Sequence, residues 1–355
     1  MNIEESEGAG GGKKSPADTE AMLRVAALIA LLGFHFVANV WYLRADNHVV
    51  RTDEETHMLT AREYFEAFAL QEHENLLTTL IALGNIHPSN PAHPPLLPIL
   101  GAGLASVLGY STDVFALVNT FMFLLLLLGC HAIARQFLDP WPALFAVFVI
   151  SFTPSVFHAS RFFMTDYPAA TVTVWSFYAL LRSDRFRNIG WVALFGVLTG
   201  LGILTRTVTF VYYILPAAVV FALGLWASWR QSDRPSADRV GPSRLLLHGV
   251  IAVGLSVAVF APWYFHNLEI YYNYWVNQHA GGTGGPLTIA RPNVPVTPRA
   301  APPAAEASPE QPTADETTPV STAVEIRLDR PQPPPVPARV TWADRLRGML
   351  ERRQP

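Results

Sequence analysis

The chain has a single cysteine, Cys130, inside an apolar run. No intrachain disulfide can form, and cysteine usage says nothing about redox compartment. Charge is scarce too. Only 15% of the 355 residues are charged, against 50% hydrophobic, and the formal net charge is −3. A weakly acidic chain lacks the electrostatic footprint of a nucleic-acid binder. No Gly-rich phosphate loop and no short-period repeat stands out. What remains is a mean hydropathy of +0.24, the composition of a polytopic membrane protein.

The first apolar run, Met22 to Leu43, is longer than a signal-peptide core and has no convincing small-x-small cleavage site. It reads as an uncleaved transmembrane helix, since about 20 apolar residues span the hydrocarbon core. Further spans are predicted at Val114–Ala134, Trp141–His158, Tyr167–Leu181, Ile189–Thr205, Thr207–Trp226 and Leu245–Phe265. The stretch Pro94 to Gly109, PPLLPILGAGLASVLG, is apolar but short, and either spans or lies flat.

The distribution of Lys and Arg decides between these. If the stretch does not span, one side of the membrane holds Lys13, Lys14, Arg24, Arg135, Arg182, Arg185, Arg187, Arg230, Arg234, Arg239 and Arg244. The other holds only Arg44, Arg51, Arg62, Arg161 and Arg206. The rich side is cytoplasmic; if the stretch spans, the bias collapses. The expectation is an all-α integral membrane protein with about seven transmembrane helices in residues 22–280 and Pro94–Gly109 as a surface or re-entrant helix. The large first outer loop, 44–112, then shares the outer face with Asp166.

Residues 1–21 read as a flexible cytoplasmic amino terminus. YFHNLEIYYNYW after Pro262 and Trp263 is aromatic and interfacial. Residues 281–340 are Pro-, Ala- and Thr-rich, as in RPQPPPVPARV, and are expected to be disordered with polyproline character. Residues 341–355 would close in a short amphipathic helix.

Four features on the outer face have chemical potential. Asp53, Glu54 and Glu55, with His57 beyond, open a segment of helical rhythm that puts Met58, Ala61, Phe65 and Phe68 on one side. Either Thr52 or Asp53 simply caps this helix, or a carboxylate is needed there. Arg161 and Asp166 flank a short turn, where an ion pair plus a helix cap is the plain reading. His93 precedes two prolines that favour an extended backbone. It shares the loop with His57 and His87, yet their spacing matches no recognised metal signature, leaving a divalent metal as an open alternative. Arg206 lies between two apolar segments and must either snorkel or pair with an anion.

Taken in order, TDEETH…REYF, HPPLLPIL, SRFFMTDYPAATVTVWSFYAL, GLGILTRTVTFVYYILP and APWYFHN resemble the GT-C superfamily of membrane glycosyltransferases. The likeness is to bacterial relatives of protein O-mannosyltransferases and lipid A aminoarabinose transferases, glycosyltransferase families 39 and 83, over roughly Met22 to Asn267. The resemblance implies a polyprenyl-phosphate sugar donor, a lipid, glycan or protein acceptor, and a site on the outer face of a bacterial inner membrane. It places the catalytic carboxylate at Asp53, an acidic neighbour at Glu54 and a second carboxylate at Asp166. His93 and Arg206 fall where relatives carry basic residues. Relatives continue with further membrane helices, so the chain reads as a shortened member.

A lipid phosphate leaves an anomeric carbon readily once its charge is stabilised, and Arg161, Arg206 and His93 are the candidate cations. An acceptor hydroxyl needs a carboxylate base, for which Asp53 is the first candidate and Asp166 the second. His57 is a supporting residue, and no soluble cofactor is required. A non-catalytic membrane scaffold or lipid-binding protein is the rival reading. Convergence of Asp53, Arg161 and Asp166 on one outer site would favour the enzyme.

Overall fold

In the computed structural model, the described residues are 15–45, 52–69, 93–230, 241–269 and 272. The chain divides into two units, Met1–Gly282 and Thr283–Pro355, and everything described lies in the first. The expectations for residues 281–340 and 341–355, and for His87, lie outside the described residues.

Every element among the described residues is helical: α1 Pro16–Ala45, α2 Thr52–Ala69, α3 Leu96–Leu108, α4 Thr112–Ala134, α5 Pro140–Ser151 and α6 Pro154–Ala159. Then follow α7 Asp166–Arg182, α8 Ile189–Ile203, a 3₁₀ turn Thr207–Thr209, α9 Phe210–Arg230 and α10 Pro242–His266. Helix starts follow local chemistry. Ser111 Oγ accepts the Val114 N–H at 3.2 Å ahead of α4, and the Asn188 side chain accepts from Gly190 and Trp191 ahead of α8. Prolines open α5, α6 and α10, where a missing N–H costs nothing.

Two sequence expectations are corrected. The amino-terminal segment is not wholly an extended tail. Helix α1 begins at Pro16, six residues before the predicted span, because Ser15 caps the first turn by accepting the Ala17 N–H at 3.3 Å and Asp18 complements the helix dipole. The predicted span Trp141–His158 is not one helix. Pro154 cannot continue an i to i−4 ladder, and the chain breaks at Phe152–Thr153 into α5 and α6.

Among the described residues, four helices are long and apolar enough to cross a membrane: α1, α4, α10, and α9 with the 3₁₀ turn before it. Their outer surfaces are apolar, with Ile29, Val37 and Trp41 on α1, Ile214 and Leu215 on α9, and Val250 and Val253 on α10 all largely exposed. A belt of that kind is stable only in lipid; the chain is an integral membrane protein. Helix α3 has 13 residues, about 20 Å at 1.5 Å per residue, short of a hydrocarbon core of about 30 Å.

Packing runs in two layers of contact. Toward one end, α2 and α3 pack on each other and on α4 through Met58, Ala61, Leu97, Phe115 and Phe163. The other seam joins α7, α8, α9 and α10 through Ala179, Val192, Phe195, Tyr213 and Ala252. Within it α8 and α10 approach closely. A Cβ on Gly196 would lie 2.4 Å from the Ala252 carbonyl oxygen, and one on Gly200 would lie 2.7 Å from that of Ser256. This is a small-xxx-small contact on both partners, the usual way for membrane helices to gain backbone contact where no hydrophobic driving force acts between them.

A polar seam joins α1 to the bundle. Asn39, fully buried, donates to Ser160 Oγ at 2.8 Å and Thr120 Oγ1 at 3.3 Å, and its Oδ1 accepts from Arg161 Nε at 3.1 Å. One turn earlier, His35 is fully buried against the rings of Phe34, Phe123, Phe152 and Phe157.

The glycine seam generates a prediction. Gly196→Ala is expected to destabilise the protein by about 1–3 kcal/mol, as overpacking does, because the obstacle is backbone. Gly254→Ala on α10, where a Cβ meets nothing within 4 Å, is expected to be neutral. Thermal-shift midpoints in detergent compare the two.

Candidate active site

Helix α2 divides its three consecutive acids by face. Successive helical residues point about 100° apart, so Asp53 and Glu55 are exposed while Glu54 is fully buried. Glu54 Oε1 accepts the backbone N–H of Phe163 at 2.8 Å. That N–H belongs to the turn between α6 and α7. The same turn is gripped from below by Asn119 of α4, fully buried, which donates through Nδ2 to the carbonyls of Phe162 and, at 2.8 Å, of Met164. Phe163 itself is fully buried among Leu97, Phe115 and Met58.

The turn delivers Asp166 to the first residue of α7. Thr165 occupies the cap position and makes no side-chain cap bond; Asp166 is not a cap. Its Oδ1 accepts from Arg206 Nη1 at 2.7 Å, with both side chains more than half exposed. Arg206 comes from the turn after α8, which is fixed on two sides. The Leu96 N–H donates to the Leu204 carbonyl at 3.0 Å, tying the start of α3 to the end of α8. Thr207 Oγ1 pairs with the Tyr264 hydroxyl at 2.7 Å, and that hydroxyl also reaches the Ile203 carbonyl at 3.2 Å.

His93, three residues before Leu96, is thereby brought beside Arg206 and Asp53. Burial and the Arg206 charge hold its imidazole below the ordinary histidine range, and Asp53 opposes them. Its ring lies on that of His57, with centroids 4.5 Å apart and planes tilted by 59°. His57 is buried, and its Nδ1 has no hydrogen-bond partner among the described residues. Burial first, then His93 and Arg206, lower its pKa to about 3, so it stays neutral under ordinary conditions. Asp53, His57, His93, Asp166 and Arg206 thus form one cluster drawn from α2, the entry to α3, α7 and the exit of α8.

Arg161 is engaged elsewhere. Its guanidinium stacks on Tyr42 and Phe157, with centroid distances of 4.2 and 4.3 Å, and bonds Asn39. The expected Arg161–Asp166 ion pair gives way to Arg206–Asp166, since Arg161 is held by the Tyr42 ring and Asn39 amide of α1 and by the Phe157 ring of α6. Among the described residues no set of three His, Cys, Asp or Glu side chains is arranged to hold a metal ion.

Two contributors were missed by sequence reasoning. Asn119 is one, and its signal was a lone amide inside the apolar run VNTFMF. Tyr64 is the other. It is fully buried on α2 near Trp263 of α10, and burial, outweighing the Trp263 contact, raises its pKa to about 12.

A family model described as dolichyl-phosphate-mannose-protein mannosyltransferase matches residues 92–237, rather less than half of the chain. The matched stretch contains His93, Arg161, Asp166 and Arg206, and leaves α2 with Asp53, Glu54 and His57 outside it. Searches of curated proteins and of solved structures return no match. The family match supports a membrane glycosyltransferase of the GT-C type.

Two predictions follow from these contacts. Glu54→Ala strands the buried Phe163 N–H and is expected to cost about 1–3 kcal/mol, whereas Glu54→Gln keeps an acceptor oxygen and is expected to retain more stability; chemical or thermal denaturation in detergent ranks them. The second concerns acid. An unfolded chain protonates His57 near its ordinary 6.5, and the folded protein only near 3. Between those values the unfolded state holds more protons, so stability falls as pH falls. His57→Phe is expected to flatten the dependence of melting temperature on pH between about 6.5 and 4.

Proposed function

We propose that the chain transfers a sugar from a polyprenyl-phosphate-linked donor to an acceptor hydroxyl at the outer face of the membrane. The observation that carries this reading is the convergence of Asp53 on α2, Asp166 on α7, His93 before α3 and Arg206 after α8 around an exposed ion pair. A purely structural ion pair would require neither a neighbouring carboxylate without an ion-pair partner among the described residues nor a histidine beside it. The family match, with its mannosyl-phosphate donor chemistry, supports the same class.

In this reading Arg206 receives the donor phosphate. Its side chain is more than half exposed, so its partnership with Asp166 is weak enough to be shared with a phosphate oxygen. Asp166 keeps the guanidinium aimed at the site. Asp53 takes the proton of the acceptor hydroxyl. The acceptor oxygen bonds to the anomeric carbon as the bond from that carbon to the phosphate oxygen breaks. The electron pair leaves on polyprenyl phosphate, where Arg206 stabilises it. A single displacement inverts the anomeric centre. Arg161, with Asn39 and Tyr42, adds positive potential at the boundary. Seven spans, α1, α4, α5 continued by α6, α7, α8, α9 and α10, cross the bilayer, with α2 and α3 on its outer surface and the amino terminus inside. The acceptor is a lipid, a glycan or a protein.

The test is a sugar-transfer assay on membranes supplied with polyprenyl-phosphate sugars. Asp53→Asn preserves shape and is expected to lower transfer by about 10²–10⁴-fold, the usual contribution of a general base. Glu55→Gln, on the same helix turn, is expected to transfer at the parental rate at equal protein level. Near-parental transfer by Asp53→Asn would move the base to Asp166.

A further inference from the structure

The cluster contains a feature that cation-assisted departure of phosphate does not require: two imidazoles in close, tilted contact. The His57 and His93 rings lie 4.5 Å apart. His57 is buried within α2 and presents no charge, so one side of His93 is covered by an uncharged ring. The charged groups that act on His93 are Asp53 from α2 and Arg206 from the exit of α8, and Arg206 is itself paired with Asp166 of α7. The backbone on the far side is fixed, because Pro94 and Pro95 are buried and the Leu96 N–H is bound to Leu204.

Resting on the glycosyltransferase reading above, we propose that His93 is a neutral imidazole in the empty site and takes up a proton when the phosphate of the lipid donor or product binds at Arg206. Asp166 is already paired with Arg206, so only Asp53 offsets a second cation beside the guanidinium, and the His57 ring shields one side of that cation from water. A phosphate brings negative charge to the same place and reverses the balance. One unit of charge at about 5 Å, at an effective dielectric near 20, raises the pH at which His93 gives up its proton by roughly two. In agreement, burial and Arg206 together outweigh Asp53 and keep the empty-site pKa low. The consequence is a binding site whose second cation exists only while phosphate is present. It favours departure of the leaving group by placing a proton-linked charge where the phosphate leaves.

Titration calorimetry of the full chain in detergent, with farnesyl phosphate as the probe, tests this at pH 7.5 in two buffers of different ionisation enthalpy. The expected result is a binding heat that differs between buffers in the direction of net proton uptake. His93→Asn and His93→Gln are expected to bind up to about tenfold more weakly with the buffer dependence gone. His57→Phe keeps a ring against His93 and is expected to retain the uptake. Binding with no buffer dependence in the parent, or uptake that survives in both His93 variants, overturns the proposal. So does uptake lost in His57→Phe but kept in the His93 variants, which would put the proton on His57. No binding of farnesyl phosphate at all overturns the donor reading and the linkage with it, an outcome distinct from binding without proton uptake.

Discussion

The bond from Phe163 N–H to Glu54 holds the rest of the site in register. A buried hydrogen bond to a carboxylate is worth about 1.5–3 kcal/mol, more than its neutral counterpart. Here it connects α2 to a turn more than a hundred residues later. Asn119 supplies the opposing grip on the carbonyls either side of Phe163. Between them the turn has little freedom, and Asp166 emerges from it at a fixed place. Asp53 is adjacent to Glu54 in the chain, so the same bond sets where Asp53 stands relative to Asp166.

This arrangement separates two tasks that adjacent acids could otherwise blur. Glu54, turned inward, is committed to the backbone and is a positioning residue. Asp53, turned outward by about 100°, keeps an exposed carboxylate beside His93 and Arg206. The seam between α8 and α10 serves the same end from the other side. Gly196 and Gly200 let α8 sit against α10, and Tyr264 of α10 then reaches the Thr207 turn that carries Arg206. Backbone contact deep in the bundle thus determines the position of a cation at its surface.

Much of this was legible in the sequence. Apolar runs predicted an all-helical membrane protein, and the described residues are all-helical, with the predicted span Trp141–His158 broken in two; the rhythm of Met58, Ala61 and Phe65 matches the packed face of α2. Asp53, His93, Asp166 and Arg206 were all singled out, and the structure brings them together. What sequence could not supply was pairing. Arg161 and Asp166 are near in the chain, but the partner of each depends on the rotational phase of helices that meet only in the fold, and an amide on α1 with two aromatic faces captured Arg161. Asn119 was overlooked for a related reason. A single amide in an apolar run marks a buried partner without indicating which one. The start of α1 at Pro16 and the break before Pro154 were, by contrast, written in local capping and proline chemistry that hydropathy alone passes over.

The buried amide of Asn39 also bears on how the protein is made. Its nearest partner in the chain, Thr120, lies 81 residues downstream, and Ser160 and Arg161 lie 121 and 122 residues downstream. At a synthesis rate of about 5–20 residues per second, α1 waits roughly 4–16 s for the first of these. It enters the membrane as an isolated apolar helix carrying an imidazole and an amide that have nothing to bond. Biogenesis therefore depends on α1 being kept within reach, in the insertion machinery or beside it, until α4 and α6 arrive to close the seam.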